Sequence, residues 1–173
     1  VSRQARLQSG RQAQRLQFEK GKVSRINAAI AYAALKEAVK YALQGKVSAL
    51  VTAPVNKTSM RLVDPHFKGH TEYLAKCSKT RDFAMMFVSR RLKVTLVTIH
   101  VPLKNVSRLI TSSLVYQKIC LTDEFLRRYF RIRRPKIEVC ALNPHGKETG
   151  TEDEQKIAPA VRRAQAKGIH AIG

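Results

Sequence analysis

Val47-Ser48-Ala49-Leu50-Val51-Thr52-Ala53 is a short apolar run closed by Pro54, the pattern of a strand buried on both faces of a parallel sheet. A helix is predicted before it. Ser24 suits the N-cap, Ala28, Ala31, Leu35, Ala38, Val39 and Ala42 recur at helical spacing, and Gly45 suits the stop. After it, Phe83 to Val88 and Leu92 to Ile99 read as two strands, with Ser89-Arg90-Arg91 as the turn between them. Residues 112–129 read as a helix on Val115, Ile119, Phe125, Leu126 and Tyr129, and Ile137 to Leu142 as a further buried strand. A last helix is predicted from about Thr151 to Ala166 with Gly168 as its stop, and Ile169 to Ile172 opens another strand. Alternation of this kind predicts an α/β fold with a mainly parallel sheet.

The 173 residues, 44% of them apolar, suffice for one domain or a slice of a larger one. Residues 1–22 are rich in Arg, Gln and Lys and read as a basic flexible arm; residues 23–173 read as a partial α/β domain. The sequence stops as its last strand begins, which reads as a fragment. The formal charge of +21 comes from 33 Lys and Arg against 12 Asp and Glu. The positive residues are spread along the chain, whereas Glu148, Glu152, Asp153 and Glu154 crowd into one loop. A solvated basic surface is therefore expected rather than a nucleic-acid face, and RNP strands, spaced Cys/His fingers and a helix-turn-helix are not found. Arg127, Arg128, Arg131, Arg133 and Arg134 are the best support for the alternative, a basic nucleic-acid-binding protein. A remnant without function of its own is a third reading. No apolar run nears the roughly 20 residues that span a bilayer, so a soluble protein off the membrane is expected. A charged start with an apolar segment behind it is not visible; the opening matches an organelle transit segment in composition only. Cys77, Cys120 and Cys140 stand apart, which suits a reducing, cytoplasmic setting, and Cys140 reads as a small buried hydrophobe.

Two histidines share one address. His100 closes Val94-Thr95-Leu96-Val97-Thr98-Ile99 and precedes Val101-Pro102; His145 lies just beyond Val139-Cys140-Ala141-Leu142, in Asn143-Pro144-His145. Ligands of open α/β sheets bind at the carboxyl ends of strands, and two imidazoles there can converge on one divalent cation. They also read as unrelated loop histidines. Gly69-His70-Thr71-Glu72 places a hydroxyl, an imidazole and free N–H groups near a helix start, where an anion or a plain capped helix fits equally. Lys57, in the turn after the first strand, faces either a phosphate or solvent. No Walker A loop, GxGxxG or GxSxG is present, and no catalytic residue is assigned.

Taken in order, Thr52-Ala53-Pro54-Val55-Asn56-Lys57, Gly69-His70-Thr71-Glu72, Ala84-Met85-Met86, Thr98-Ile99-His100-Val101-Pro102-Leu103 and Leu142-Asn143-Pro144-His145-Gly146 resemble the 4-hydroxythreonine-4-phosphate dehydrogenase family of pyridoxal 5′-phosphate (vitamin B6) biosynthesis. The resemblance covers residues 21–173. It implies an isocitrate- or isopropylmalate-dehydrogenase-like α/β/α fold, here partial, and a homodimer with its site between subunits. It implies NAD or NADP as oxidant and a divalent metal (Zn, Mg or Co). By motif, His100 and His145 match metal ligands, and His70 and Thr71 match substrate contacts. The implied reaction oxidises the secondary alcohol of 4-phosphooxy-L-threonine to a 3-oxo acid that loses carbon dioxide. A paralogue acting on another small phosphorylated hydroxy acid fits the same motifs. The family's third metal histidine belongs to a later motif, and the loop after His145 is a few residues shorter than the family's.

Overall fold

The computed structural model describes residues 20–146 and 148–173. The chain divides into two compact units, Val1–Thr80 and Arg81–Gly173. Residues 1–19 of the expected basic arm lie outside the described residues.

In the first unit, helix α1 runs Arg25–Leu43. Ser24 starts it: its side chain accepts the N–H of Asn27, 3.2 Å away, a cap worth about 1 kcal/mol. Gly45 ends it at φ +69. There the Gly45 N–H reaches the Ala42 carbonyl and the Lys46 N–H the Tyr41 carbonyl, at 3.0 and 2.9 Å. This paired 5→2 and 6→1 closure satisfies two otherwise orphaned carbonyls. Two short helices follow, α2 (Lys57–Arg61), capped by the Asn56 side chain on the Ser59 N–H, and α3 (His70–Cys77). The core between them is Leu35, Val39, Met60 and Phe67, with Tyr32, Leu50, Val55, Tyr73 and Leu74 packed around it. The Tyr32 hydroxyl donates to the Asp64 carboxylate at 3.0 Å, so its half-buried phenol keeps a polar partner.

The predicted strand at residues 47–53 does not form. Leu50 packs on the core as expected, yet Val51 is 100% exposed, and among the described residues no backbone pairs with this stretch. An apolar run encodes burial, whereas a strand exists only through a ladder with a neighbour.

In the second unit, β1 (Met86–Val88) and β2 (Lys93–Thr95) form an antiparallel hairpin in the register Met86↔Thr95, Phe87↔Val94, Val88↔Lys93. The expected turn closes through the Ser89 N–H on the Leu92 carbonyl at 2.8 Å, while the Ser89 hydroxyl accepts the Leu92 N–H. Helices α4 (Leu103–Leu109) and α5 (Ser112–Phe130) follow. Strand β3 (Ile137–Glu138) pairs in parallel with β4 (Ala171–Ile172), and helix α6 (Ala158–Ala166) connects them. This β3–α6–β4 crossover is the α/β unit that the sequence pattern predicts. A wide, π-helical turn, Asp153–Ile157, leads into α6. Val115 and Ile119 of α5 and Ala160, Val161 and Ala164 of α6 meet Ile137, Ile157 and Ala171 in one buried cluster. Ala160 and Ala164 are 0% exposed, so the small residues let the helix backbone approach closely and leave no room for a larger side chain.

Candidate functional site

Both histidines expected at strand ends lie in the second unit, but β2 and β3 stop short of them, at Thr95 and Glu138, and they stand in loops five and seven residues further on, on segments anchored to the same core. Val97 and Leu142, each three residues before a histidine, both pack on the Val115–Ile119–Ile137 cluster. Beyond them the chain turns outward, and His100 and His145 are exposed. His100 adopts a left-handed backbone at φ 55. Lys79 and Arg131 do likewise, but they follow α3 and end α5, where left-handed geometry is the usual helix stop. His100 stands in the loop between β2 and α4, past no helix C-terminus. Its conformation costs about 1–3 kcal/mol, and residues held so concentrate at functional sites. Val101 and Pro102 then lead directly into α4.

His145 sits in a tight turn. Its N–H donates to the Asn143 side-chain oxygen at 3.0 Å, and the Gly146 N–H donates to the Asn143 carbonyl at 2.9 Å. The Asn143 amide nitrogen donates in turn to the Thr149 carbonyl. Behind this turn stands a residue the sequence reading passed over. The Asp153 carboxylate accepts the Leu142 N–H at 2.6 Å and the Asn143 N–H at 3.2 Å. Its only signal in the sequence is membership of the acidic cluster after His145. Cys140, expected to be buried, is exposed. It stands beyond Glu138, where β3 ends, in a segment that follows the strand to the surface.

Two neutral imidazole nitrogens suit a divalent cation in kind. They fall short in number: among the described residues no group of three or more His, Cys, Asp or Glu is gathered to hold a metal.

His70 and Thr71 lie in the first unit as the opening residues of α3, both half-buried. Phe67 supports the His70 ring edge-to-face, with centroids 6.2 Å apart. Gly69, just before α3, is buried because side chains close over it. A Cβ there would meet the Glu72 carboxylate at 2.9 Å and the tip of Lys57 at 3.6–3.7 Å. The Lys57 ammonium thus lies against the start of the helix that carries His70 and Thr71. The start of a helix and an ammonium both favour negative charge, and the Glu72 carboxylate already stands beside them. An apolar cavity of about 400 Å³, lined by Phe83, Met86, Thr95, Leu121, Thr122 and Phe125 among others, contains none of the predicted site residues.

A family model for the pyridoxal phosphate biosynthetic protein PdxA matches residues 2–173. The 4-hydroxythreonine-4-phosphate dehydrogenase of Desulforapulum autotrophicum is 44% identical over 138 residues, covering 78% of this chain and 41% of that protein. The D-threonate 4-phosphate dehydrogenase of Salmonella typhimurium is 36% identical over 159 residues, covering 90% and 48%. The crystal structure of 4-hydroxythreonine-4-phosphate dehydrogenase from Klebsiella pneumoniae matches with a TM-score of 0.83 at 34% identity, covering 90% of this chain and 48% of that one. The chain spans less than half the length of these relatives.

Proposed function

The chain belongs to the PdxA family of pyridoxal phosphate biosynthetic proteins, and on that premise we propose that it is the middle portion of an NAD(P)-dependent, divalent-metal-dependent dehydrogenase of 4-phosphooxy-L-threonine. The observation that carries this reading is the family match across residues 2–173, within which His100 and His145 stand in loops of one unit. The protein would oxidise the secondary alcohol, passing hydride to the nicotinamide, and the resulting 3-oxo acid would lose carbon dioxide. A bound cation polarises a hydroxyl and eases loss of its proton; His100 and His145 would hold it through two imidazole nitrogens. His70, Thr71 and Lys57 would bind and orient the anionic substrate through the imidazole, the hydroxyl, the ammonium and the first-turn N–H groups of α3.

The finer fold assignment, an isocitrate-dehydrogenase-like α/β/α layer structure with a mainly parallel sheet, belongs to the same proposal and is supported by the parallel β3–β4 pair. So do the basic arm at residues 1–22, the partial domain at 23–173, a cytoplasmic location and a homodimer with the site between subunits. Exposed Phe87, Val88, Leu92 and Val94 on the β1–β2 hairpin support the homodimer, since an apolar patch of that kind suits burial against a second copy. No helix among the described residues is long and apolar enough to cross a membrane.

The similarity to a D-threonate 4-phosphate dehydrogenase favours one second reading, oxidation of a phosphorylated sugar acid by the same groups. Nicotinamide reduction measured side by side on both substrates decides between them. The purified 173-residue chain is expected to turn over neither, because among the described residues no group of three or more metal donors is gathered. Turnover by this chain with NAD⁺ and a divalent cation would refute that expectation. A longer protein containing it that oxidises neither substrate would refute the assigned activity.

A further inference from the structure

The His145 turn is held from behind, and the holder lies in another element. Asp153 opens the π-helical turn that leads into α6. An acidic residue at such a position ordinarily serves its own helix, by accepting first-turn N–H groups or by facing the positive end of the helix dipole. Here no side-chain cap bond forms at the start of that turn. Instead both carboxylate oxygens are spent on the other segment: Oδ1 accepts the Leu142 N–H at 2.6 Å, and Oδ2 accepts the Asn143 N–H at 3.2 Å. Those two N–H groups lie in the loop four and five residues beyond β3. Beyond Val139, whose N–H donates to the Ile172 carbonyl, the strand has left its ladder, and the carboxylate replaces the missing partner with charge-assisted bonds. Asn143, fixed in this way through its backbone, then turns its side-chain oxygen onto the His145 N–H at 3.0 Å.

We infer that Asp153 is a positioning residue for His145: it clamps Leu142 and Asn143 in the loop after β3 so that the Asn143 turn presents the imidazole in one orientation. A second observation supports this. The helix entry is widened to a π-turn at Asp153–Ile157, a rare geometry that occurs often where a helix is bent to functional use. Ile157 in the same turn is buried in the Val115–Ile119 core, so the turn that carries the carboxylate is fixed to the core on which Leu142 also packs.

The metal role of His145 is part of the function proposed above, and the inference rests on it; the test separates the two. In the full 173-residue chain, the imidazole signals of His145 and His100 are followed by NMR during a Zn²⁺ titration, for the native protein and for Asp153→Ala, Asp153→Asn and Asp153→Glu. The Leu142 and Asn143 amide signals are followed as well. Expected are downfield amide signals for Leu142 and Asn143 that move upfield in the Ala variant. The Zn²⁺ affinity reported by His145 should fall by about 10- to 100-fold, the range seen when a group supporting a metal ligand is lost. The Glu variant should restore much of it, and the Asn variant, which keeps the shape and loses the charge, should fall between. Should the Ala variant fail to fold, the Asn and Glu pair decides alone. Unchanged His145 affinity in the Asn or Ala variant overturns the inference. If neither histidine of the native chain responds to Zn²⁺, the proposed metal role fails. The clamp is then judged on the His145 ring and Asn143 amide signals, and their indifference to Asp153→Asn overturns it too.

Discussion

Replacing Phe67 tests how the first unit supports the helix start that carries His70 and Thr71. Phe67 is 2% exposed and belongs to a four-residue buried core with Leu35, Val39 and Met60. Its ring meets His70 at 6.2 Å and Tyr73 at 6.0 Å between centroids. Burying a phenylalanine removes about 150–250 Å² from water, worth about 4–6 kcal/mol at about 25 cal/mol per Å², of which alanine retains a part. Aromatic pairs add about 0.5–1.5 kcal/mol each. Phe67→Ala should therefore cost about 3–5 kcal/mol, in line with aromatic truncations in other cores. Phe67→Leu, which refills most of the volume, should cost roughly half as much. Urea denaturation followed by tyrosine fluorescence measures both, because Tyr32 and Tyr73 sit on this core. NMR of the folded Leu variant should show the His70 ring protons losing the ring-current shift that Phe67 imposes. A cost below about 1 kcal/mol for the Ala variant, or an unmoved His70 signal in the Leu variant, refutes this account of the support beneath His70.

Two further outcomes are expected. Gly45→Ala places a Cβ at φ +69 with no heavy atom within 4 Å, so the cost is backbone conformation alone, about 1 kcal/mol, read as a lower urea midpoint with an unchanged slope. Burial, and after it the Cys77 thiol, raise the Tyr73 phenol well above its ordinary value; burial, and then the Asp64 carboxylate, raise Tyr32. The folded state thus holds these protons more tightly than the unfolded chain. Their contribution is complete below the unfolded phenol pKa of about 10 and is lost as pH rises beyond it. Neutralisation of lysines on a chain of charge +21 works in the opposite direction, so the signature is a difference between proteins. Stability measured from pH 8 to 11 should decline less for Tyr73→Phe than for the native chain, and equal declines would remove the phenol's part.

Much of the fold is legible because its signals are local. Ser24, the spacing of Ala28 to Ala42 and Gly45 mark both ends of α1 within the helix itself, and Ser89 to Leu92 marks the hairpin turn. Helices α2 and α4, of five and seven residues, escaped because a helix of one or two turns shows no periodicity to read. The run from Val47 to Ala53 misled in the other direction, since its composition reports burial and its strand character depends on a neighbour. The same division runs through the candidate site. His70 and Thr71 are visible at the start of α3, whereas His100 and His145, expected at strand ends, stand in loops because β2 and β3 stop at Thr95 and Glu138. Asp153 is not visible, because the N–H groups it serves lie ten and eleven residues back in the chain, and only folding brings them together. Nor does the sequence announce that His100 takes a left-handed backbone away from any helix C-terminus.

The central proposal is that His100 and His145 share one divalent cation. The direct measurement is a Co²⁺ titration of the purified chain, followed at the imidazole signals of all five histidines and repeated on His100→Ala and His145→Ala. The account predicts that His100 and His145 broaden together along one binding curve while His66, His70 and His170 do not follow it. It also predicts that either substitution abolishes the response of the remaining partner. Independent curves for the two residues, or a His145 response that survives His100→Ala unchanged, would contradict it.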